Sequence, residues 1–303
     1  MENKNVMNNK VYGMIGVEAI HSNFNANFEG EPKNINGKIF ATDVCLKHTI
    51  KTALNADGEL ILGLKRVKDD GIVYTLKDTY EYLFDTKLNK KTDEKEVLTN
   101  LLSCKDVKFF GTTFATDVNI GVTGAVQVGH GVNVLENTEI YMDDILSPYS
   151  SGEKKKMTTK GEEFRTDKAH YIYNFAINPR EYEKYKDIEQ EFTEDDYDMF
   201  KQYSLESVTR LNSRTKLGCE NHFAMFIELK ENECFTPNLR KYLNIIEEDD
   251  IVIYDLIELS NTLKDIEDKI DNIEIYYNPM SVKLDNIPSN SNIFNIVTRK
   301  VIE

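Results

Sequence analysis

Cysteine is scarce in this 303-residue chain, with four in all and no two at C-x-x-C spacing. Cys45, Cys104, Cys219 and Cys234 are too few and too scattered for the disulfide framework of a small secreted domain. They read as reduced thiols of a cytosolic protein. No apolar run approaches the ~18 residues of a membrane span, and no signal-peptide pattern marks export. A cytoplasmic protein with no membrane partner is therefore expected. The glycines near residues 111 to 131 are not followed by G-K-[S/T], which excludes the phosphate-cradling nucleotide loop. Positive charge is short as well: 37 Lys and Arg stand against 52 Asp and Glu, a net −15. Such a deficit counts against nucleic acid, for which a basic footprint is the first sign. It is uneven, however: residues 171–303 carry −12 of it while 1–56 carry +1. A local basic groove can survive in the N-terminal half.

The 40% apolar content supplies ample material for a core, in one large domain or two small ones. The stretch from Val11 to Thr52 organises the reading. Val11, Met14, Ile15, Val17, Ala19 and Ile20 predict a buried or half-buried first strand. The polar run SNFNANFEGEPKN follows as a loop of turn-forming residues. TDVCLKHTIK then starts a helix, with Thr42 as N-cap and Asp43 at the positive end of the dipole. Lys47 and Lys51 share one face of it. Beside an Asn-rich loop they form either a clamp for phosphates or an ordinary solvated face, and these residues alone leave both open.

Residues 57–105 read as a peripheral insertion whose Lys87, Lys90 and Lys91 are balanced by nearby acids. Residues 109–133 return to strand character, FFGTTFA then NIGVTGAVQVG, with glycines that mark bulges or close backbone approaches. Gln127 there is either a polar contact or an ordinary strand residue. From Val134 to Asp167 the strand pattern lapses into a long polar insertion. Lys154, Lys155, Lys156, Lys160 and Arg165 make it the strongest positive cluster of the chain. KAHYIYNFAINP is a returning strand. Thr193 caps a helix in which Phe192 and Tyr197 are placed as a hydrophobic staple. Arg210, Arg214 and Lys216 interrupt the acidic half, either as a nucleic-acid contact or as a basic turn. HFAMFIEL is a buried strand. Leu256, Leu259, Leu263, Ile266 and Ile270 repeat at 3, 4, 3, 4 and predict one amphipathic helix.

Two chemistries are open to the side chains. Cys45 with His48 and Cys219 with His222, each at C-x2-H spacing, add up on paper to a Cys2His2 zinc set. Cys45 reads better as a small buried hydrophobe, so neither metal nor cofactor is expected. The five histidines, His21, His48, His130, His170 and His222, supply a general acid and base for an alternative reading, a metal-independent endoribonuclease.

From Val11 through Phe226 the chain resembles the repeated backbone subunit of Cascade, the CRISPR RNA-guided surveillance complex, in its type I-B form, within the Cas-seven family of the RAMP superfamily. Six blocks in order carry the resemblance: SNFNANFEGEP, TDVCLKHTIK, FFGTTFATDVNIGVTGAVQVGHG, DKAHYIYNFAINP, TEDDYDMFKQYS and GCENHFAMFIEL. They spread over roughly two thirds of the chain. The resemblance implies an α+β fold with an RRM-like (ferredoxin-like) palm over about 1–56, 106–133 and 168–303. It implies a finger-like insertion at 57–105 and a thumb-like hairpin at 134–167, all within a single domain. It also implies head-to-tail polymerisation along guide RNA, with no catalytic residue. On that basis Lys47 and Lys51 are assigned to phosphates, and Asn23 and Asn25 to sugar or phosphate hydrogen bonds. Lys154, Lys155, Lys156, Lys160 and Arg165 are assigned to RNA and the neighbouring copy, with Gln127, Arg214 and Lys216 as further RNA contacts. The implied partners are guide RNA, other copies of the chain, the guide-capping, large and small subunits of Cascade, and the target DNA strand.

Overall fold

The structure, a computed structural model, describes residues 5–150, 158–235, 238–248 and 251–302, without the side chains of 147–150 and 158–160. Lys154, Lys155 and Lys156 lie outside the described residues, and Lys160 is described by its backbone alone. In chain order the first elements are β1 (Val11–Ser22), β2 (Asn34–Ile35), β3 (Lys38–Ala41) and α1 (Asp43–Ala56). Three helices follow, α2 (Leu76–Phe84), α3 (Glu94–Ser103) and α4 (Lys105–Phe110). Strands β4 (Thr112–Ala115), β5 (Asn119–Val122), β6 (Val126–Val128), β7 (Gly131–Asn133), β8 (Ile140–Ser150) and β9 (Thr158–Ile177) come next. The chain ends with α5 (Glu194–Ser204), β10 (Cys219–Leu229), β11 (Asn244–Glu248), β12 (Ile251–Asp255), α6 (Ile257–Lys264), β13 (Ile270–Tyr277), β14 (Lys283–Asp285) and β15 (Asn292–Asn295).

The main sheet runs β15-β13-β10-β1-β9-β7-β3-β2, with β6 and β8 also paired to β9. β1 is its centre, antiparallel to β9 on one side and β10 on the other. A central strand covered on both faces needs apolar residues at both parities, which is why VYGMIGVEAI shows a near-continuous run rather than alternation. Val11, Ile15, Val17 and Ala19 belong to the larger core, with α1 and α5; Met14 belongs to a second core under β12 and α6. Gly13 is imposed by that crowding. A Cβ there would lie 2.2 Å from the Met225 carbonyl oxygen and 2.3 Å from the Phe175 ring.

The expected helix starts are present. Thr42 caps α1 by accepting from Cys45 N, and Thr193 caps α5 in a box with Asp196. Phe192 and Tyr197 flank that cap and are both buried. The 57–105 stretch is less peripheral than expected, because Ile61, Leu62, Tyr80, Leu88, Val97, Leu101 and Leu102 all enter the larger core.

Three expectations are corrected. Phe109 and Phe110 end α4 rather than open a strand, since both rings pack on Phe200 of α5. The apolar repeat from Leu256 to Ile270 is not one helix: α6 stops at Lys264, and Ile270 starts β13 opposite Leu229 of β10. Helical spacing alone cannot register the sheet edge that captures the chain there. Nor does strand structure lapse after Val134. β8 pairs with β9 from Ile140↔Thr166 to Ser150↔Thr158, as the outward continuation of the twenty-residue β9. Its sequence looks irregular because a hairpin leaving the core has no buried face to impose an apolar period.

Candidate nucleic-acid interface

The loop between β1 and β2 is fastened to α1 by asparagines. The Asn25 side-chain oxygen accepts from Thr42 N at 2.8 Å and from Thr42 Oγ1 at 2.9 Å, so the loop docks on the helix cap. The Asn23 amide donates to the Gly30 carbonyl at 2.9 Å and to the Phe164 carbonyl at 3.1 Å, tying the loop to the base of the β8–β9 hairpin. Asn23 is only 4% exposed. Both asparagines thus have framework duties, and their backbones share them: Asn23 N donates to the Thr215 carbonyl at 2.8 Å and the Asn25 carbonyl accepts from Lys33 N at 3.0 Å.

Lys47 forms an ion pair with Asp43 at 2.8 Å and sits 5.5 Å from the Phe110 ring centroid. Lys51 pairs at 3.4 Å with Asp106, a buried carboxylate that also accepts from Leu62 N and Gly63 N at 2.8 Å each. Each cation is already partly spent, so a phosphate here shares the lysine with a carboxylate.

Lys216 is placed differently. Its ammonium donates to the Phe24 carbonyl and lies 5.3 Å from the Phe24 ring, with no carboxylate partner among the described residues. It is near enough to α1 for its charge to act on Cys45 and on His48. Burial raises the Cys45 thiol, against the opposing pull of Lys216 and Lys33. The His48 pKa is pushed down by partial burial first, then by Lys216 and Lys51. Lys33, Lys51 and Lys216, from the loop, α1 and the segment before β10, therefore set a local positive field that acts on Cys45 and His48. Lys33 was missed at the level of sequence. Its signal was its place in EPKN, immediately after the asparagine turns.

Arg165 and Arg214 converge on Glu163, at 3.1 Å each, and Arg165 also donates to the His21 carbonyl at 2.9 Å. Arg214 remains 66% exposed and free to reach outward. Asn23 Oδ1, Glu163 Oε1 and Arg165 Nε are buried without a hydrogen-bond partner, all beside residues 163–165. Gln127 stands apart on β6, where its amide donates to the Gly124 carbonyl at 2.9 Å. No hydrogen bond or ion pair links it to the α1 cluster among the described residues. Arg210 is held by Asp57 at 2.6 Å and by Glu206 at 3.0 Å.

The histidines divide by burial. His21, His48 and His130 are exposed, and His130 Nδ1 lies 3.3 Å from Asp43 Oδ1. His170 and His222 are fully buried. His170 Nε2 is 3.0 Å from Glu18 Oε1 and its Nδ1 is 2.9 Å from Tyr254 Oη, which is also 2.7 Å from His222 Nε2. Ser281 Oγ donates to Glu18 Oε2 at 2.9 Å. Cys45 donates to the Phe24 carbonyl at 3.1 Å, and Cys219 is 3.2 Å from Ser22 Oγ. Among the described residues no group of three or more His, Cys, Asp or Glu is placed to hold a metal ion. Nor is any helix among them long and apolar enough to cross a membrane.

A mixed α/β sheet with a long projecting hairpin and a cationic loop–helix end defines the class of this protein. In fold it is similar to a chain of a "CRISPR RNA-guided surveillance complex, pre-nicking", with TM-score 0.53 and 12% identity over 94% of this chain and 96% of that one. A chain of a "CRISPR RNA-guided surveillance complex" aligns at TM-score 0.47 with 14% identity over 90% of this chain and 95% of that one. The family described as CRISPR-associated protein Cas7 matches residues 9–276, and the chain belongs to that family. No curated protein matches it.

Proposed function

We infer that the chain is a non-catalytic backbone subunit of a Cascade complex of type I-B form, binding guide RNA along successive copies of itself. In this reading the main sheet is an RRM-like palm, the β8–β9 hairpin a thumb, and residues 57–105 a finger. The palm comprises about 1–56, 106–133 and 168–303, and the thumb about 134–167. Membership of the Cas7 family supports the role. The observation that carries it is Lys216, whose ammonium rests on the Phe24 carbonyl of the docked asparagine loop with no carboxylate partner among the described residues, close enough to α1 for its charge to reach Cys45 and His48, in a chain whose net charge is −15. Cations gathered against that global charge serve a polyanion. Phosphate contacts carry no base information, so one subunit can accept any guide sequence at its place in a filament.

In this reading Asn23, Asn25, Lys47, Lys51, Arg214 and Lys216 contact RNA. Arg165, Lys160 and Lys154 to Lys156 belong to the thumb, which reaches RNA and the next copy, and Gln127 is a more distant contact. The remaining partners are the guide-capping, large and small subunits and the target DNA strand, and the setting is cytoplasmic. The test is the ratio of absorbance at 260 and 280 nm of the purified protein, with its size before and after nuclease. RNA-filled oligomers that nuclease reduces are expected. A clean RNA-free monomer that also fails to bind added RNA overturns the reading.

A further inference from the structure

The most exposed large apolar side chain described is Phe28, at 110% relative accessibility, which means that its ring touches almost nothing of its own chain. A single exposed hydrophobe needs no explanation by itself. The backbone beneath this one does. Asn27 N donates to the Glu31 carbonyl at 2.8 Å, and Gly30 N to the Asn27 carbonyl at 3.3 Å. The Asn27 side-chain oxygen accepts from Glu29 N at 2.9 Å and from Glu31 N at 3.0 Å. Ala26 bridges Pro32, and Asn23 clamps the Gly30 carbonyl from below. Gly30 supplies the positive φ, +89°, that the turn needs. The ring is thus carried on a braced turn whose ordering cost is met in folding, so a partner that covers it loses little further entropy.

We propose that Phe28 is a stacking platform for a nucleobase of the bound RNA, an inference that rests on the RNA-binding reading above. The charges around the turn select the occupant. Glu29 and Glu31 follow Phe28 in the same turn and make its tip unfavourable to phosphate, while Lys33 at the base of the turn and Lys216 on the Phe24 carbonyl attract it. A strand whose backbone follows those lysines presents its bases, not its phosphates, to the tip. Stacking on an aromatic face accepts any base, as a subunit indifferent to sequence requires.

The chain contains no tryptophan, so Phe28→Trp installs a unique emitter in the full-length protein. Its fluorescence is expected to be quenched by oligoadenylate and left unchanged by an abasic ribose-phosphate strand of equal length. Phe28→Ala is expected to weaken RNA binding by about tenfold, with the slope of log affinity against log salt unchanged because no phosphate contact is lost. Phe28→Tyr should restore affinity and Phe28→Leu should not. Full RNA binding by Phe28→Ala, or an unquenched tryptophan in a protein that still binds RNA, overturns the platform and leaves the RNA-binding reading standing. A blue shift that grows with protein concentration in the absence of RNA overturns it in favour of a contact between copies. Failure of the unaltered chain to bind RNA overturns both readings.

Discussion

On the face of the sheet covered by β12 and α6, Glu18, His170, His222 and Tyr254 are sealed from water; at the loop end of α1, Lys33, His48, Lys51 and Lys216 remain partly or wholly wet. Both are polar clusters drawn from distant parts of the chain, yet burial gives them opposite duties. Burial by itself raises the Glu18 carboxyl, but hydrogen bonds from His170 and Ser281 hold it below the usual range. Burial lowers His170 against the pull of Glu18, and lowers His222 further. With Glu18 ionised and both rings neutral, the donors follow in one direction. His222 Nε2–H donates to Tyr254 Oη, Tyr254 donates to His170 Nδ1, and His170 Nε2–H donates to Glu18. Such a chain, which ends at the buried Nδ1 of His222 with no hydrogen-bond partner, ties β1 and β9 to β12 and β10. At the wet end the cations lean on carbonyls and carboxylates that a phosphate can join or replace, which suits binding and adds little to stability.

Removing a link from the buried chain should break this contrast most visibly. Tyr254→Phe leaves two buried ring nitrogens without a partner, at roughly 1–3 kcal/mol each, so a loss of about 3 kcal/mol is expected in urea unfolding. A loss below about 0.5 kcal/mol would mean that Tyr254 does not link the two rings as described.

Acid acts on the same side. Both histidines have folded pKa values below their unfolded ones, so their contribution is present above the unfolded value of about 6.5 and is lost as pH falls beneath it, when the unfolded state takes up protons that the folded state refuses. Up to about 1.4 kcal/mol per pH unit is expected from each histidine in that window. Replacing both residues with glutamine should flatten the curve of urea midpoint against pH between 6.5 and 5; the same slope in the double variant would trace the effect to other groups.

The wet side should give the converse result. Lys33→Ala with Lys216→Ala is expected to leave stability within about 0.5 kcal/mol, yet to flatten the salt slope of RNA binding by about one to two units, at ~0.7 per phosphate on a single strand. Lys47→Ala with Lys51→Ala should flatten it less, because those lysines already share their charge with Asp43 and Asp106. A larger change from the second pair would reverse the ranking.

The smallest effect belongs to His48. Its pKa is lowered in the free protein, by burial first and then by the adjoining lysines. Phosphate that neutralises those lysines raises it, so RNA binding takes up part of a proton and affinity should rise severalfold, by less than tenfold, from pH 7.5 to 6. His48→Gln should abolish that trend, and an unaltered trend in the variant would place the titrating group elsewhere.

How far the sequence reached can be seen in particular elements. Thr42 with α1 and Thr193 with α5 were legible because a cap and its helix lie within four residues. β1 was legible because a strand buried on both faces writes its burial into every position. α6 was overextended because the apolar spacing continues to Ile270 after the chain has been captured by β10. The hairpin was half legible, as a basic insertion without a strand pattern, because its strands answer to each other and not to a core.

Near-neighbour chemistry, then, was settled by the sequence: the caps, the turns of SNFNANFEGEP, and the concentration of negative charge after residue 171. The two polar clusters were decided only by tertiary structure. A bulge in β10 between Gly16 and Val17 of its partner strand lets His222 and Phe223 both reach Tyr254, thirty-two positions from His222, while Lys216 comes to rest on the Phe24 carbonyl from 192 positions away. Side chains so far apart leave no periodic mark in the sequence, because no local constraint of backbone or burial relates them until the sheet has formed.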